Sequence, residues 1–229
     1  MCIRDSLEDV IAGISLYRPG PMDFIPRYLK GKNDKKSITY ECPQLEPILS
    51  PTYGCIVYQE QVMQIASVMG GFSLGQADLL RRAMGHKEPE ILQAQRELFV
   101  KGAAVQKISE EIANRVFDLM VHFAGYGFNK SHSVCYGWIA WQTAYLKAHY
   151  RPEFMAAMMT CYNGDRNKVS RYISDTRRAG VKIAAPDVNR SEAGFSVNGD
   201  TILFGLAGVQ NVGEGIVNSI IGSYTDGNS

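Results

Sequence analysis

The stretch FAGYGFNKSHSVCYGWIAWQTAYLKAHY, residues 123–150, joins a glycine loop to a long apolar segment and indicates a helical fold. Gly125 and Gly127 allow the chain to turn sharply, because glycine adopts backbone angles that other residues avoid. Ser131 or Ser133 is then expected to cap the helix that follows.

The same loop gathers four groups that suit an anion, namely Asn129, Lys130, Ser131 and His132. A helix N-terminus offers unpaired N–H groups and about half a positive charge, so a phosphate would meet amides, the helix dipole and Lys130 together. The alternative is a capped helix whose Lys130 and His132 face water. No Walker A or Rossmann glycine sequence is present to decide between the two interpretations.

The composition excludes several classes of protein. With 229 residues and 45% apolar content, the chain is long enough for one large domain or two small ones with a real core. Its net charge is +1, so any contact with nucleic acid must come from local basic patches. No apolar run approaches the roughly 18 residues of a membrane span, and the N-terminus lacks the apolar segment of a signal peptide. We therefore expect a cytoplasmic protein with no membrane partner.

The five cysteines are scattered and form no CxxC pair, which argues against a zinc site or a disulfide framework. We expect reduced and mostly buried thiols. A centre for phosphoryl transfer that holds two metal ions needs closely placed carboxylates, yet the sequence contains no Asp-x-Asp. The chain is therefore expected to hold a nucleotide without transforming it.

The order of the predicted elements suggests a mainly helical domain followed by a mixed one. Residues 1–58 are rich in proline and glycine, which predicts only short helices there. From residue 59 to about residue 180 helical segments follow one another, with a start at Ser109 and ends at Gly85 and Gly102.

Beyond residue 180 the runs VKIAAPDVN and FSVNGDTILFG predict short strands, with Asn198-Gly199 at a hairpin turn. The fold class is therefore mainly α, a multi-helix domain followed by a small α+β segment.

The tail LAGVQNVGEGIVNSII, residues 206–221, resembles a helix-hairpin-helix, whose turn presents backbone amides to a DNA phosphate. The usual turn has a hydrophobic residue between two glycines, but here it consists of Asn211, Val212 and Gly213. Asparagine tolerates left-handed backbone angles better than most residues, so the turn is expected to form.

Two further groups of residues are candidates for binding. LLRRAMGHK places Arg81, Arg82, His86 and Lys87 within seven residues, and guanidinium groups match phosphate oxygens in geometry. The alternative interpretation is that these residues are ordinary charges at the end of a helix. Asp78 would then balance the charge of Arg81 or Arg82, from which it is separated by helical spacing.

Arg18 lies in YRPGP, where Pro19 and Pro21 would fix the direction of its side chain for a contact. The alternative interpretation is an ordinary rigid turn that only reverses the direction of the chain. Aromatic residues near the glycine loop could stack on bases. For the two tryptophans, Trp138 and Trp141, we favour a place in the core.

Six segments, taken together, are similar to a known family. They are SLYRPGPM, PTYGCIVYQEQVMQIA, LLRRAMGHK, FAGYGFNKSHS, WQTAYLKAHY-x-PEFMAA and PDVN. In order and spacing they resemble the alpha subunits of bacterial DNA polymerase III, which are C-family replicative polymerases, over about residues 7–220. The resemblance implies a fingers domain at residues 1–165, with its first residues at the palm junction. Residues 166–229 would start the tandem helix-hairpin-helix DNA-binding region.

The resemblance also implies roles for particular residues. Binding of the incoming deoxynucleoside triphosphate would involve Arg81, Arg82, Asn129, Lys130, Ser131 and His132. Contact with DNA would involve Arg18, Lys87, Asn211, Val212 and Gly213. The sequence departs from the family at His86, where the family often has lysine.

The family's catalytic aspartates, which hold two Mg²⁺ ions in the palm, have no counterpart in this sequence. The resemblance therefore implies about a fifth of a DNA-directed DNA polymerase subunit, inactive alone, and the unmatched opening MCIRDS suggests a truncated gene. Its partners would be primer–template DNA, deoxynucleoside triphosphates and other replicase subunits, including the sliding clamp through regions outside this chain. A different class of function stays open, a stand-alone, non-catalytic helix-hairpin-helix DNA-binding module.

Overall fold

The computed structural model of the chain describes residues 6–86, 89–124 and 127–226. The helices in these residues are α1 (Leu7–Leu16), α2 (Ile25–Asn33), α3 (Glu46–Leu49), α4 (Gln59–Gly70), α5 (Leu74–His86), α6 (Pro89–Val105), α7 (Glu110–Ala124), α8 (Lys130–His149), α9 (Arg151–Cys161), α10 (Arg166–Arg178) and α11 (Glu214–Asp226). The strands are β1 (Lys182–Ala184), β2 (Ser196–Asn198) and β3 (Thr201–Leu203). The predicted fold class, helices followed by a small mixed segment, is confirmed.

The chain divides into two units, Met1–Ile139 and Ala140–Ser229. In the first unit, α4 contacts α5, α6 and α7. Their shared core includes the fully buried side chains of Ile65, Met69, Leu80, Phe99 and Phe117. Apolar residues at helical spacing create this core, because residues three and four apart lie on the same face of a helix.

Helix α7 begins as predicted, since the hydroxyl of Ser109 accepts a hydrogen bond from the backbone N–H of Ile112 at 3.3 Å. The prediction that Gly102 ends a helix is wrong, because α6 continues to Val105. A Cβ atom at Gly102 would overlap the backbone carbonyl of Gly70, at the end of α4. Glycine at this position therefore allows α6 to pass close to α4.

The placement of both tryptophans in the core is also wrong. Gly137 is the last buried residue of α8, and every residue from 138 to 150 is exposed. Trp138 is 49% exposed and Trp141 is 46% exposed, so the aromatic side chains of this helix largely face solvent. Trp141 stacks on Tyr145, one helical turn further on, with ring centroids 5.7 Å apart.

In the second unit, α9 and α10 pack against a sheet with the strand order β1-β3-β2. Strand β1 is parallel to β3, and β2 is antiparallel to it. The predicted hairpin is present, but Asn198 pairs with Thr201, so the two-residue loop is Gly199-Asp200 rather than Asn198-Gly199. Gly199 takes the left-handed φ of 59° that the turn requires.

The predicted turn in the tail forms, with Asn211 at a left-handed φ of 66°. The element before it is a three-residue 3₁₀ turn, Leu206–Gly208, rather than an α-helix, and α11 follows it.

Among the described cysteines, Cys42 and Cys55 are buried and Cys135 and Cys161 are exposed, all with free thiols, so the expectation of mostly buried thiols is only half right. No helix in the described residues is long and apolar enough to cross a membrane.

Candidate functional site

The N-terminus of α8 is capped by Asn129, whose side-chain oxygen accepts a hydrogen bond from the backbone N–H of His132 at 2.9 Å. The predicted caps at Ser131 and Ser133 are therefore wrong, because both residues already lie inside the helix. Ser131 is exposed, whereas Ser133 is fully buried and shares a 2.6 Å hydrogen bond with the hydroxyl of Ser15. Helix α1 thus contacts the first turns of α8 through a buried polar pair.

The position that we predict for a phosphate at this helix end is taken by a carboxylate of the chain itself. The backbone N–H of Lys130 donates to both carboxylate oxygens of Glu60, each at 3.0 Å. A negative charge at a helix N-terminus is stabilising because it opposes the helix dipole. A phosphate would therefore have to bind the side chains nearby or displace Glu60. No local sequence pattern indicates this contact, since the two residues are 70 positions apart.

A short β-bridge connects the glycine loop to the segment before α4. Tyr58 and Phe128 form a parallel bridge. The N–H of Phe128 donates to the carbonyl of Val57 at 3.3 Å, and the N–H of Gln59 donates to the carbonyl of Phe128 at 3.0 Å. The bridge fixes two aromatic residues side by side.

Three of the predicted site residues lie around this pair of aromatic residues. The guanidinium carbon of Arg18 lies 4.2 Å from the ring centroid of Phe128, and the Nζ atom of Lys130 lies 5.3 Å from that of Tyr58. The imidazole of His132 and the ring of Phe128 form an edge-to-face pair, with centroids 5.2 Å apart. A cation within about 6 Å of an aromatic centroid is attracted to the ring face. These contacts fix the direction of two cationic side chains.

Arg81 joins the same region through Gln59, to whose side-chain oxygen its guanidinium donates at 3.4 Å. We call Arg18, Arg81, Lys130 and His132 the basic cluster. Arg82 lies one residue further on, with its side chain 64% exposed.

The alternative interpretation of the arginine pair, charge balance by Asp78, is also present in the structure. Both guanidinium groups contact this carboxylate, Arg81 at 2.8 Å and Arg82 at 2.9 Å. The hydrogen bond from Arg81, with the charges of both arginines, lowers the pKa of Asp78. Two positive charges share one negative charge, so this helix face keeps a net positive charge.

The other predicted residues belong to other parts of the chain. Lys87 lies outside the described residues, and for His86 only the backbone is described. Asn211, Val212 and Gly213 belong to the second unit, where the N–H of Val212 donates to the carbonyl of Val209 at 3.2 Å. The nucleotide-binding and DNA-binding roles of all these residues stay predictions.

A buried ion pair that the sequence does not reveal holds α1 in place. Asp9 on α1 is bound by Lys32 on α2 at 2.8 Å, by the hydroxyl of Tyr28 at 3.1 Å and by the hydroxyl of Ser6 at 2.8 Å. Burial alone would raise the pKa of Asp9, but the hydrogen bonds from Lys32, Ser6 and Tyr28 outweigh it and lower the pKa. Because α1 also carries Ser15, this network helps to position the start of α8.

The buried Tyr58 hydroxyl has its pKa raised by burial and by the nearby carboxylates of Glu8 and Glu60. The ring therefore stays uncharged and can accept a cation on its face. The described residues contain no group of three or more His, Cys, Asp and Glu side chains that could hold a metal ion. The Mg²⁺ ions that the resemblance implies therefore have no fitting set of ligands in the described part of the chain.

Two known sequence families match the chain. The family described as the bacterial DNA polymerase III alpha subunit finger domain matches residues 4–107, and the helix-hairpin-helix motif matches residues 180–227. The predicted domain boundary at residues 165/166 lies outside both matched ranges and stays a prediction.

Curated relatives give the same result. The chain is 53% identical over 220 residues to the DNA polymerase III subunit alpha of Thermus aquaticus, covering 94% of this chain and 18% of the relative. It is 48% identical to that of Borreliella burgdorferi over 95% of this chain and 19% of the relative. It is 46% identical to that of Escherichia coli over 97% of this chain and 20% of the relative. The chain thus spans about a fifth of the length of these relatives, and it belongs to the family of bacterial DNA polymerase III alpha subunits.

Proposed function

We propose that this chain is the fingers region, with the start of the helix-hairpin-helix region, of a replicative DNA-directed DNA polymerase. Its basic cluster would bind the triphosphate of the incoming deoxynucleotide while the nucleotide is transferred to the primer 3′ end. The observation that supports this most is the convergence of Arg18, Lys130 and His132 on the bridged pair of Tyr58 and Phe128. These residues come from three separate segments of the sequence, and all five lie in segments that carry the family resemblance.

The chemistry of the cluster suits a triphosphate. Guanidinium groups at Arg18 and Arg81 offer paired N–H donors to phosphate oxygens, and the ammonium group of Lys130 offers a compact charge. Negative charge grows on the pyrophosphate leaving group during the transfer. Cations that are held in place before the reaction stabilise this charge more strongly in the transition state than in the ground state.

Glu60 sets a limit on how the triphosphate binds in this proposal. Because its carboxylate accepts from the Lys130 amide, phosphate oxygens are expected to contact the side chains of the cluster rather than this backbone N–H. Asn129 likewise already accepts from the His132 amide. In this proposal Asn129, like Glu60, holds the start of α8, while Lys130 and His132 supply contacts to the triphosphate through their side chains.

The two Mg²⁺ ions that the reaction needs would be held by carboxylates of the parent subunit rather than by this chain. The sliding clamp and other replicase subunits would also bind regions outside this chain. We therefore expect the chain alone to show no primer extension with primed template, four deoxynucleotides and Mg²⁺. Extension above that of a heat-inactivated sample would contradict this expectation.

The test of the nucleotide site uses the full-length parent subunit. Lys130→Ala, in the basic cluster, and Arg82→Ala, at the predicted nucleotide-binding residue beside it, are expected to lower the efficiency of nucleotide incorporation roughly ten- to a hundred-fold, since a charge-assisted contact contributes about 1.5–3 kcal/mol. Primer–template affinity should change little. Lys101→Ala, at an exposed position of α6, is the matched control and should have no effect on either quantity.

Single-turnover kinetics, measured beside primer–template binding, separate the possible outcomes. If both variants weaken DNA binding but incorporate nucleotide at the normal saturated rate, the residues contact the template backbone and the triphosphate assignment is wrong.

A second candidate function, a stand-alone DNA-binding module, is favoured by one observation. The match to the helix-hairpin-helix motif includes Asn211, which adopts the left-handed angle that the turn needs. Such a module would bind DNA tightly without nucleotide. The fragment of a polymerase should instead bind DNA weakly, with an affinity that falls with salt along a shallow slope, because only a few cations contribute. Fluorescence anisotropy at low and moderate salt distinguishes the two.

A further inference from the structure

Helix α10 carries a concentration of positive charge that the proposed nucleotide site does not use. Its thirteen residues include five basic side chains and a single acidic one, Asp175. The basic residues are Arg166, Lys168, Arg171, Arg177 and Arg178. The whole chain has a net charge of only +1, so this helix is a distinct local patch.

The four arginines lie on one side of the helix. With about 100° of rotation per residue, they fall within a sector of about 140°. Each of them is exposed, and so are the polar residues between them, Asn167, Ser170 and Ser174. The apolar side chains of α10 lie on the other side, where Val169, Tyr172 and Ile173 pack in the core of the second unit. We call the exposed side the arginine face.

The charges of the arginine face are mostly not neutralised by the chain itself. Arg178 pairs with Asp175 at 3.1 Å. In the described part of the chain, Arg166, Arg171 and Arg177 form no ion pair with a carboxylate. Lys168, by contrast, contacts Asp165 at 3.6 Å and the ring of Tyr162, so it belongs to a different side of the helix. Three guanidinium groups are therefore available to an external anion.

The patch continues beyond the helix into an open groove of about 550 Å³, which Arg177, Gly180, Lys182 and Thr201 help to line. One wall of the groove is β1, the edge strand of the sheet, and Lys182 is exposed there. The positive surface thus runs along α10, over about 20 Å, and then past the edge of the sheet.

We propose that the arginine face of α10 binds the sugar–phosphate backbone of DNA, independently of base sequence. Guanidinium, hydroxyl and amide groups are the side chains that contact phosphates in protein–DNA interfaces. An acidic protein partner is less suitable, because protein interfaces usually contain apolar or aromatic residues at their centre and this face has none. The choice of DNA as ligand rests on the proposed function, but the residues differ from those of the basic cluster.

The experiment compares the complete chain with a variant that carries Arg166→Gln, Arg171→Gln and Arg177→Gln. The probe is a short fluorescein-labelled DNA duplex, without nucleotide or metal, and its binding is followed by anisotropy over a range of salt concentrations. Each phosphate contact contributes about 0.9 to the slope of log affinity against log salt. Three phosphate contacts lower the affinity for DNA roughly 40-fold between about 50 and 200 mM salt. We expect the glutamine variant to lack this contribution, so its affinity should depend less on salt.

Two matched variants make the test specific. Lys35→Gln, Lys36→Gln and Lys101→Gln remove the same charge from exposed sites of the first unit and should leave the slope unchanged. Arg166→Lys, Arg171→Lys and Arg177→Lys keep the charge and should retain most of the slope. Circular dichroism establishes that each variant is folded.

Three results would overturn the proposal. The first is an unchanged slope in the glutamine variant, and the second is an equal loss in the control that removes lysines from the first unit. The third is displacement of the duplex by polyglutamate at equal charge concentration, which would indicate an acidic protein partner. The nucleotide site is tested separately, by the incorporation kinetics of the parent subunit, so a failure of the arginine face can be distinguished from a failure of the nucleotide site.

Discussion

The basic cluster and the arginine face hold their positive charges in different ways. In the cluster, Arg18 and Lys130 lie over aromatic rings, and Arg81 is bound by a carboxylate and an amide. On α10, Arg166, Arg171 and Arg177 are exposed on one side of a helix. Charges in water are screened over about 10 Å at 0.1 M salt, whereas partly buried charges are screened less.

The difference suggests two kinds of recognition. Side chains that are fixed before binding lose little entropy when a ligand arrives, so they suit a small anion that must be placed accurately. Exposed arginines that no carboxylate of the described residues holds tolerate variation in the position of each phosphate, which suits a polymer that moves along the surface. If this comparison is right, changes that loosen α1 or α8 should affect the cluster and leave the arginine face intact.

The largest expected effect comes from Asp9→Ala. This change leaves Lys32 buried without its carboxylate, and breaking a buried ion pair typically costs about 3–5 kcal/mol. We expect the free energy of unfolding of the first unit, measured with urea, to fall by that amount. Asp23→Ala, at an exposed position, is the control and should cost less than about 0.5 kcal/mol. An equally small effect of both changes would show that the ion pair does not hold α1.

The pH dependence of stability gives a second test of the same pair. The pKa of Asp9 is lower in the folded chain than in the unfolded chain, so its contribution is complete above the unfolded value of about 3.9 and is lost as pH falls through the folded value. Asp9→Asn should therefore flatten the decrease in stability below about pH 4. Urea unfolding at a series of acidic pH values measures this. Parallel curves for the two proteins would contradict the prediction.

A smaller effect is expected from Ser133→Ala. The change removes the hydrogen bond to the buried hydroxyl of Ser15, which keeps its contact with the carbonyl of Ile11 at 3.1 Å. Loss of one partner of a buried polar pair costs about 1–3 kcal/mol. Ser131→Ala, two residues earlier and exposed, is the matched control for thermal unfolding. A similar melting temperature for both variants would mean that the buried serine pair contributes nothing.

The smallest effect concerns the second unit. Asn211→Gly should raise stability by at most about 1 kcal/mol, because glycine adopts the left-handed angle without strain. Asn211→Val should lower stability, since a β-branched residue tolerates this angle poorly. Thermal unfolding of both variants provides the measurement. If valine were tolerated as well as glycine, the turn would not depend on the left-handed residue.

The sequence predicts the elements of this fold better than its contacts. Helical spacing places the end of α5 and the start of α7 to within one residue, because the apolar residues of each helix mark its buried face. The end of α6 lies three residues beyond the predicted one at Gly102. The hairpin is found, but its loop is shifted by one residue, since Asn198 and Gly199 both suit a turn and only the pairing of the strands decides.

The parts of the site that the sequence does not predict depend on residues that are far apart in the chain. Glu60 and Lys130 are 70 residues apart, and neither lies in a pattern that indicates the other. Asp9 looks like an ordinary acidic residue at a helix start, and only the fold shows that Lys32 reaches it. The apolar residues of α8 indicate a buried helix, yet its later turns are exposed. The sequence shows which residues are apolar, but it does not show whether another part of the chain packs against them.

The bridge between Tyr58 and Phe128 also bears on the order of folding. It closes a loop of about 70 residues that contains the whole of α4 to α7, and closing such a loop costs roughly 4 kcal/mol of chain entropy. The helices within the loop contact near neighbours in sequence, so they can assemble before the bridge forms. We therefore expect the aromatic rings and the cations above them to come together after the helical core of the first unit. A partly folded molecule that has only this core would lack the groups of the basic cluster.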